Sequence, residues 1–177
     1  NENSSPFENL TLCSNVMSEE LPQIIETLAK RARSASLVLA SASTKQKNEA
    51  LQHIAEGLES NRKLLTIENQ KDLDAAKENG LSEAMVDRLR LTHERIDGMA
   101  KGLRELIELP DPVGVLIEEK ERPNGLKIRK VRVPIGVIGI IYESRPNVTI
   151  DCAGLCIKSG NASILRGGKE AIHSNTA

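Results

Sequence analysis

The sequence has almost no aromatic residues: among 177 residues there are one Phe, one Tyr and no Trp. A folded core must therefore be packed from Leu, Ile, Val and Ala. Such aliphatic packing is typical of helices on a parallel sheet and argues against a β-sandwich or a small barrel, whose strands are usually richer in aromatics. The length suits one ordinary domain and is short for two.

Three further scarcities exclude function classes. The formal net charge is only -1, which removes the electrostatic basis for a nucleic-acid binder. No run of about 18 apolar residues occurs, so no membrane helix is expected. The number of cysteines is three, so they do not form a framework of paired disulfides, which indicates reduced thiols and a cytoplasmic protein.

Residues 1–20 are rich in Ser, Asn and Glu and predict a flexible leader. Because the chain does not begin with Met, we expect it to be trimmed.

Residues 21–112 are expected to be helical, because apolar residues recur there at helical spacing. Ser43 with Gln46 predicts a capping box at one helix start. Asn79-Gly80 is typical of a helix end. We expect these helices to form the helical part of a nucleotide-binding domain.

A β-hairpin is predicted between residues 113 and 133. The runs 113–119 and 126–133 are β-like, and the pair Asn124-Gly125 between them is a strong hairpin signal. Charged residues alternate with apolar ones in the second run, which predicts a solvated ribbon with one apolar face. Because a ribbon of this length usually packs on something, we expect it to form a contact in a homo-oligomer.

Residues 134–177 predict a βαβ unit. The run 137–142 is apolar on both faces, as expected of a buried parallel strand, and a helix over 148–158 and a second buried strand over 162–166 follow. Two parallel strands joined by a helix make a right-handed crossover. The predicted fold class is therefore α/β, with N-terminal helices, a Rossmann-type parallel βαβ unit and a β-hairpin.

Asn147 ends a polar loop, 143–147, at the carboxyl end of the first parallel strand, where open α/β sheets bind ligands. Its amide beside free backbone N–H groups suits the stabilisation of a developing oxyanion. The competing interpretation is an ordinary helix N-cap, which Asn often provides. The pattern alone favours the N-cap.

Arg166-Gly167-Gly168-Lys169 follows the second strand. The glycines allow close backbone approach and the two cations suit phosphate or ribose oxygens, although a glycine turn with solvated charges has the same pattern. The dinucleotide fingerprint G-x-G-x-x-G is absent, so a Rossmann-type cofactor would bind in a non-standard way.

Cys152 and Cys156 stand one turn apart on the predicted helix, without histidines at metal-ligand spacing. We interpret both as small buried hydrophobes and expect no metal site.

A resemblance to a known family rests on several short stretches. They are Asp72-Leu73, Gly80-Leu81-Ser82, Asp87-Arg88-Leu89, Arg95-Ile96, Leu109-Pro110-Asp111-Pro112, Arg132-Val133-Pro134-Ile135-Gly136, Tyr142-Glu143-Ser144-Arg145-Pro146-Asn147, Lys158-Ser159-Gly160-Asn161 and Leu165-Arg166-Gly167-Gly168-Lys169-Glu170. In this order and spacing they strongly resemble the N-terminal part of the γ-glutamyl phosphate reductase family, within the aldehyde dehydrogenase superfamily.

The resemblance implies a nucleotide-binding domain, a catalytic domain and an oligomerisation element that includes the hairpin. It also implies reduction of γ-glutamyl phosphate by NADPH to glutamate 5-semialdehyde, in proline synthesis. In that reaction a cysteine thiolate attacks the acyl phosphate, phosphate leaves, and hydride reduces the thioester.

The resemblance also assigns roles by position. Asn147 falls where an asparagine helps to hold the oxyanion, which raises this role above the N-cap. Arg166 falls where aldehyde dehydrogenases usually have a lysine on the adenosine ribose, and its guanidinium suits a 2′-phosphate. The cofactor-binding positions are Ser144, Arg145, Pro146, Arg166, Gly167, Gly168 and Lys169.

Neither Cys152 nor Cys156 matches the position of the family's nucleophile, which lies further along in the catalytic domain. We therefore expect the catalytic domain to be absent from the 177 residues and the isolated chain to be inactive. Two alternatives stay open: a truncated, non-catalytic oligomerisation or regulatory module, and the reductase half of bifunctional Δ1-pyrroline-5-carboxylate synthetase. For the reductase and for the bifunctional synthetase alike, a glutamate kinase would be the partner that supplies the substrate.

Overall fold

The computed structural model describes residues 8–177, with side chains from residue 21 onward. The helices are α1 (Glu8–Ser41), α2 (Thr44–Ser60), α3 (Arg62–Glu78), α4 (Glu83–Leu89), α5 (His93–Glu108), α6 (Pro146–Lys158) and α7 (Ile172–Thr176), with a 3₁₀ helix at Lys169–Ala171. The strands are β1 (Leu116–Glu121), β2 (Lys127–Val131), β3 (Val137–Ile141) and β4 (Ala162–Arg166). None of the described helices is both long enough and apolar enough to cross a membrane.

Helix α1 begins at Glu8, inside the stretch expected to be a flexible leader. From Glu8 to Leu21 the sequence contains neither Gly nor Pro, and Pro22 follows within the same helix. Residues 1–7 of the expected leader lie outside the described part of the chain.

The predicted helix boundaries at Ser43 and Asn79 are confirmed. The Gln46 N–H donates to Ser43 Oγ at 3.2 Å, and the Ser43 N–H donates to Gln46 Oε1 at 2.9 Å, which is the capping box. Helix α3 ends at Glu78 with Asn79 as its C-cap, and Gly80 follows with φ of 69°. Since this left-handed conformation is unfavourable for residues with a Cβ, the glycine determines where the chain leaves the helix.

The main core lies between α2, α5 and α6. Leu51 and Ala55 of α2 and Ile96 of α5 are fully buried, and Leu103 is 2% exposed. Helix α6 packs against α5 at Gly154, where a Cβ would lie only 2.7 Å from Leu103 Cδ2. The absence of a side chain at this position therefore allows α6 to approach α5 closely.

A buried polar network attaches the C-terminal helix α7 to α3. The Asp72 carboxylate accepts the backbone N–H groups of His173 at 3.1 Å and Ser174 at 2.8 Å, as well as the Ser174 hydroxyl at 2.6 Å. Asp72 is 2% exposed. Because a buried carboxylate is stable only when its oxygens are paired, this network determines how the segment after β4 lies against the helices.

A second polar cluster joins α2, α6 and the segment before the hairpin. Lys47 Nζ lies 2.5 Å from Asp111 Oδ2, and the Lys47 side chain is 1% exposed. Lys158 Nζ donates to Asn48 Oδ1 at 2.9 Å and to the Ile107 carbonyl at 3.0 Å. Burial lowers the pKa of Lys158, while the nearby Asp111 opposes that shift. These contacts fix the base of the hairpin to the helical core.

The predicted hairpin is confirmed. Strands β1 and β2 pair antiparallel, and Gly125 has φ of 82° with its N–H donating to the Arg122 carbonyl at 2.8 Å. Every residue of both strands is exposed, including Ile117 and Ile128. The apolar face of the ribbon is therefore uncovered in the described part of the chain.

The predicted βαβ unit is confirmed, but the burial expected of its strands is not. Strands β3 and β4 are parallel, in register from Val137 opposite Ala162 to Ile141 opposite Arg166. Ile141 is nevertheless 80% exposed. The described sheet has only these two strands, so β3 lies at an edge and its apolar residues are incompletely covered.

Candidate functional site

The parallel register brings the two groups of predicted site residues together. Ile141 lies opposite Arg166, and the Tyr142 N–H donates to the Arg166 carbonyl at 3.1 Å. The loops that follow the two strands, residues 142–145 and 167–168, therefore leave the sheet side by side at the same edge. This is the edge at which open α/β sheets bind ligands.

Asn147 lies in the first turn of α6, and the N-cap interpretation of this residue is wrong. Arg145 is the N-cap, and Pro146 is the first helical residue. Proline already has the φ of a helix and lacks the N–H that the first turn leaves unpaired, so it moves the helix start before Asn147. Asn147 Nδ2 donates to Asp151 Oδ2 at 3.3 Å. The second N–H of this amide remains available to a ligand.

The chain's single tyrosine connects the loop to the helices. The Tyr142 hydroxyl donates to Thr149 Oγ1 at 2.6 Å, because the Thr149 hydroxyl itself donates to Asn175 Oδ1 at 2.7 Å. A Cβ at Gly167 would lie 2.5 Å from Asn175 Nδ2 and 3.1 Å from the Tyr142 hydroxyl. The internal packing of this network therefore requires a glycine at position 167.

A second side-chain hydrogen bond, between Ser144 and Glu170, holds the middle of the loop. The Ser144 hydroxyl donates to Glu170 Oε2 at 3.0 Å. A Cβ at Gly168 would lie 2.6 Å from that oxygen and 3.0 Å from Ser144 Oγ. A backbone N–H bond and then the Ser144 hydroxyl lower the pKa of Glu170, so the carboxylate remains ionised near neutral pH. The two loops are thus joined at their closest approach.

Arg166 and Lys169 are exposed beside this junction. Neither cation has an ion-pair partner among the residues that the structure describes. Both cations lie near the Glu170 carboxylate without forming an ion pair with it, and two exposed cations at a strand end suit the phosphate groups of a dinucleotide. The donor set therefore fits an anionic cofactor.

A pocket of about 400 Å³ lies beside Asn147. The charged and polar residues of its wall are Asp87, Arg88, Arg90, Arg95, Arg145, Asn147 and Asp151. Sequence reasoning did not place any residue of the α4–α5 region here. The packing of α5 on α6 brings these segments together across about 50 intervening residues, and no local pattern signals that contact.

The two described cysteines behave as packing residues. Cys156 is 4% exposed, and burial, with a smaller contribution from Cys152, raises the pKa of its thiol. A thiol that resists ionisation is a poor nucleophile. The interpretation as a small buried hydrophobe therefore agrees with the structure for Cys156, whereas Cys152 is only half-buried.

The helices, the hairpin and the βαβ unit with polar loops at its strand ends form an α/β fold like that of the aldehyde dehydrogenases. A solved Bacillus subtilis structure assigned to the aldehyde dehydrogenases matches 86% of this chain and 32% of its own, with a TM-score of 0.62 and 19% identity. That likeness concerns the fold alone. No protein-family model matches the chain.

More similar relatives indicate the family. A curated γ-glutamyl phosphate reductase from Opitutus terrae is 57% identical over 161 residues, which cover 91% of this chain and 38% of the relative. The crystal structure of γ-glutamyl phosphate reductase from Thermotoga maritima matches 84% of this chain and 36% of its own, with a TM-score of 0.82 and 50% identity. The chain is thus similar over most of its length to one part of the γ-glutamyl phosphate reductases, and it spans less than two fifths of the length of these relatives.

Proposed function

We propose that this chain forms the oxyanion- and cofactor-binding side of an enzyme of proline biosynthesis. The enzyme reduces L-γ-glutamyl 5-phosphate with NADPH to L-glutamate 5-semialdehyde and phosphate. The observation that carries the proposal is the position of Asn147, whose amide lies at the carboxyl edge of the parallel strands and beside a pocket. The named relatives support the reaction.

Asn147 stabilises the transition state in this proposal. When a thiolate attacks the acyl carbon, negative charge develops on the carbonyl oxygen, and the free N–H of the Asn147 amide donates to it. The hydrogen bond to Asp151 and the first turn of α6 hold the amide in place before the reaction. Such preorganisation makes a single donor effective, because no reorientation is needed as the charge develops.

The cofactor-binding role belongs to the two joined loops. NADPH, when bound, supplies the hydride. Ser144, Arg145 and Pro146 border its nicotinamide side, and Arg166 and Lys169 provide cations for its phosphates. The close packing at Gly167 and Gly168 keeps the second loop against the first. An arginine near the 2′-position is the feature that favours NADPH over NADH.

The nucleophile in this proposal is a cysteine of the catalytic domain. The buried Cys156, with its raised pKa, does not supply a thiolate at neutral pH. The acyl phosphate substrate is made by phosphorylation of a carboxylate, so a glutamate kinase supplies it, in the cytoplasm. The exposed apolar residues of the hairpin, Ile117 and Ile128 among them, form the contact between subunits.

The reverse reaction of the complete enzyme tests this proposal. Glutamate 5-semialdehyde, phosphate and NADP are mixed with the enzyme, and NADPH formation is followed by absorbance. We expect NADPH formation that depends on phosphate and is slower with NAD. NADPH formation that is independent of phosphate would contradict the acyl phosphate, and equal rates with NAD would contradict only the cofactor preference.

A further inference from the structure

The pocket beside Asn147 contains charges of both signs that lack a partner of opposite charge. The Arg90 guanidinium makes no ion pair or hydrogen bond with any residue that the structure describes, although it lines this pocket. The Asp151 carboxylate is bonded, within the described residues, only to the uncharged Asn147 amide. Arg95 and Asp87, by contrast, pair through two contacts of 3.0 and 3.1 Å.

The backbone on both sides of Arg90 is fixed from inside the protein. Asn69, which is 1% exposed, donates to the Leu89 carbonyl at 2.8 Å and accepts the Leu91 N–H at 2.8 Å. The Arg90 carbonyl itself accepts a hydrogen bond from Arg95 at 2.8 Å. When a ligand binds, an exposed arginine on a backbone fixed in this way loses less conformational entropy than an arginine on a mobile loop.

The mixture of charges decides which class of ligand fits the pocket. Arg145 also lines the pocket, as does Arg88, which lies 3.9 Å from Glu143, so a phosphate dianion would be attracted by these arginines. It would, however, offer the Asp151 carboxylate no cation to pair with. An uncharged acyl chain would leave both groups desolvated without partners. An α-amino acid group satisfies both, since its carboxylate can pair with a guanidinium and its ammonium with a carboxylate.

We propose that this pocket binds the α-amino acid end of the substrate, with Arg90 pairing with the α-carboxylate and Asp151 with the α-ammonium. The assignment rests on the proposed function. Asp151 lies four residues after Asn147, about 6 Å along the helix axis, and its Oδ2 lies 3.3 Å from Asn147 Nδ2. The two methylenes of a glutamyl group let the carbonyl oxygen reach Asn147 while the ammonium group reaches Asp151. The pocket thereby selects a γ-acyl derivative of glutamate among acyl phosphates.

The test measures KM in the complete enzyme, in the direction that consumes the aldehyde, for three aldehydes. They are glutamate 5-semialdehyde, 5-oxopentanoate, which lacks the amino group, and 4-aminobutanal, which lacks the carboxylate. We expect Arg90→Gln to raise KM for glutamate 5-semialdehyde about tenfold to a hundredfold, because a charge-assisted bond is lost, and to leave KM for 4-aminobutanal unchanged. Asp151→Asn is expected to raise KM for glutamate 5-semialdehyde more than KM for 5-oxopentanoate, because the variant keeps an oxygen that can accept the Asn147 N–H but loses the charge that pairs with the ammonium group.

Matched controls remove the same charges elsewhere. Arg122→Gln, in the hairpin turn, and Asp74→Asn, on the exposed side of α3, should leave every KM unchanged. Equal melting temperatures of the variants and the wild type show that folding is intact.

Three outcomes would overturn the proposal. If Arg90→Gln raises KM for phosphate and not for the aldehyde, the pocket binds the phosphate. If an active wild-type enzyme keeps its aldehyde KM in both variants, the pocket does not bind the amino acid end, while the proposed function stands. If the wild-type enzyme has no activity, the proposed function fails and this assignment fails with it.

Discussion

At the scale of single residues, the proposed chemistry depends on how firmly Asn147 is held. Pro146 is buried and begins α6, so the backbone that carries the amide is rigid. Asp151, one turn further on, accepts one amide N–H and leaves the other for a carbonyl oxygen. The local pattern indicated an N-cap because Asn commonly caps helices. A proline at the preceding position is the sequence signal that contradicts it.

Replacing Asn147 tests the oxyanion role. We expect Asn147→Ala to lower kcat of the complete enzyme by about 10²–10³-fold, since a preorganised donor is removed from the transition state. KM for the aldehyde should change much less, because the ground-state carbonyl needs this donor less. Asn79→Ala, an exposed asparagine at the end of α3, is the matched control. A loss of kcat in the control, or an unchanged kcat in Asn147→Ala, would argue against the role.

At the scale of elements, the hairpin and the parallel crossover were predictable, because Asn124-Gly125 and the apolar run 137–142 are local signals. The burial of the strands was not predictable in this way. Ile141 belongs to an apolar run, yet it is 80% exposed, because burial depends on which neighbours the sheet has. The wall that α4 and α5 contribute to the pocket also has no local signal, since only tertiary packing brings it to Asn147.

Two glycines at the packed helices predict opposite effects of the same substitution. At Gly154 in α6 a Cβ would lie 2.7 Å from Leu103 Cδ2 and 3.0 Å from Leu106 Cδ1, whereas at Gly102 in α5 no atom lies within 4 Å. We expect Gly154→Ala to destabilise the protein by about 1–2 kcal/mol through overpacking. Gly102→Ala should stabilise it by about 0.5–1 kcal/mol, because alanine favours the helix. Denaturant unfolding of both variants measures the difference, and two shifts of the same sign would contradict this packing.

The pair of Lys47 and Asp111 predicts a pH-dependent contribution to stability. Desolvation opposes ionisation of Asp111, but its bonds to Lys47, Thr44 and the Val113 N–H outweigh it and lower its pKa from the usual 3.8. A carboxylate whose pKa is lower in the folded state stabilises the fold above its ordinary pKa. That contribution is lost as the pH falls through the folded value.

We therefore expect Asp111→Asn to cost about 3 kcal/mol at pH 7, because Lys47 is left buried without a counter-charge. The difference from the wild type should shrink as the pH falls below the ordinary pKa of the carboxyl group. Denaturant midpoints measured at several pH values give this difference directly. Glu118→Gln, in the exposed hairpin, is the control and should show no comparable change. A penalty for Asp111→Asn that is independent of pH would show that packing, and not charge, accounts for it.

At the scale of the whole molecule, the helical core is well packed while the sheet and the hairpin are open. Leu51 and Ile96 are fully buried, but Ile135, two residues before β3, is 82% exposed, and Ile141, the last residue of β3, is 80% exposed. Strand β3 also has a free edge within the described sheet. Exposed apolar surface beside an unpaired strand edge favours association with other chains.

We expect the 177-residue polypeptide, expressed by itself, to self-associate at tens of micromolar through this surface. Replacing Ile135 and Ile141 together with lysine should shift it toward the monomer, because charge opposes burial of the face and pairing of the edge. Val38→Lys, at a 70% exposed position on α1, is the control and should leave association unchanged. Sedimentation velocity over a range of concentrations distinguishes the species. A wild-type polypeptide that stays monomeric throughout would show that the open sheet does not drive association, and equal effects of the control would place the contact on α1.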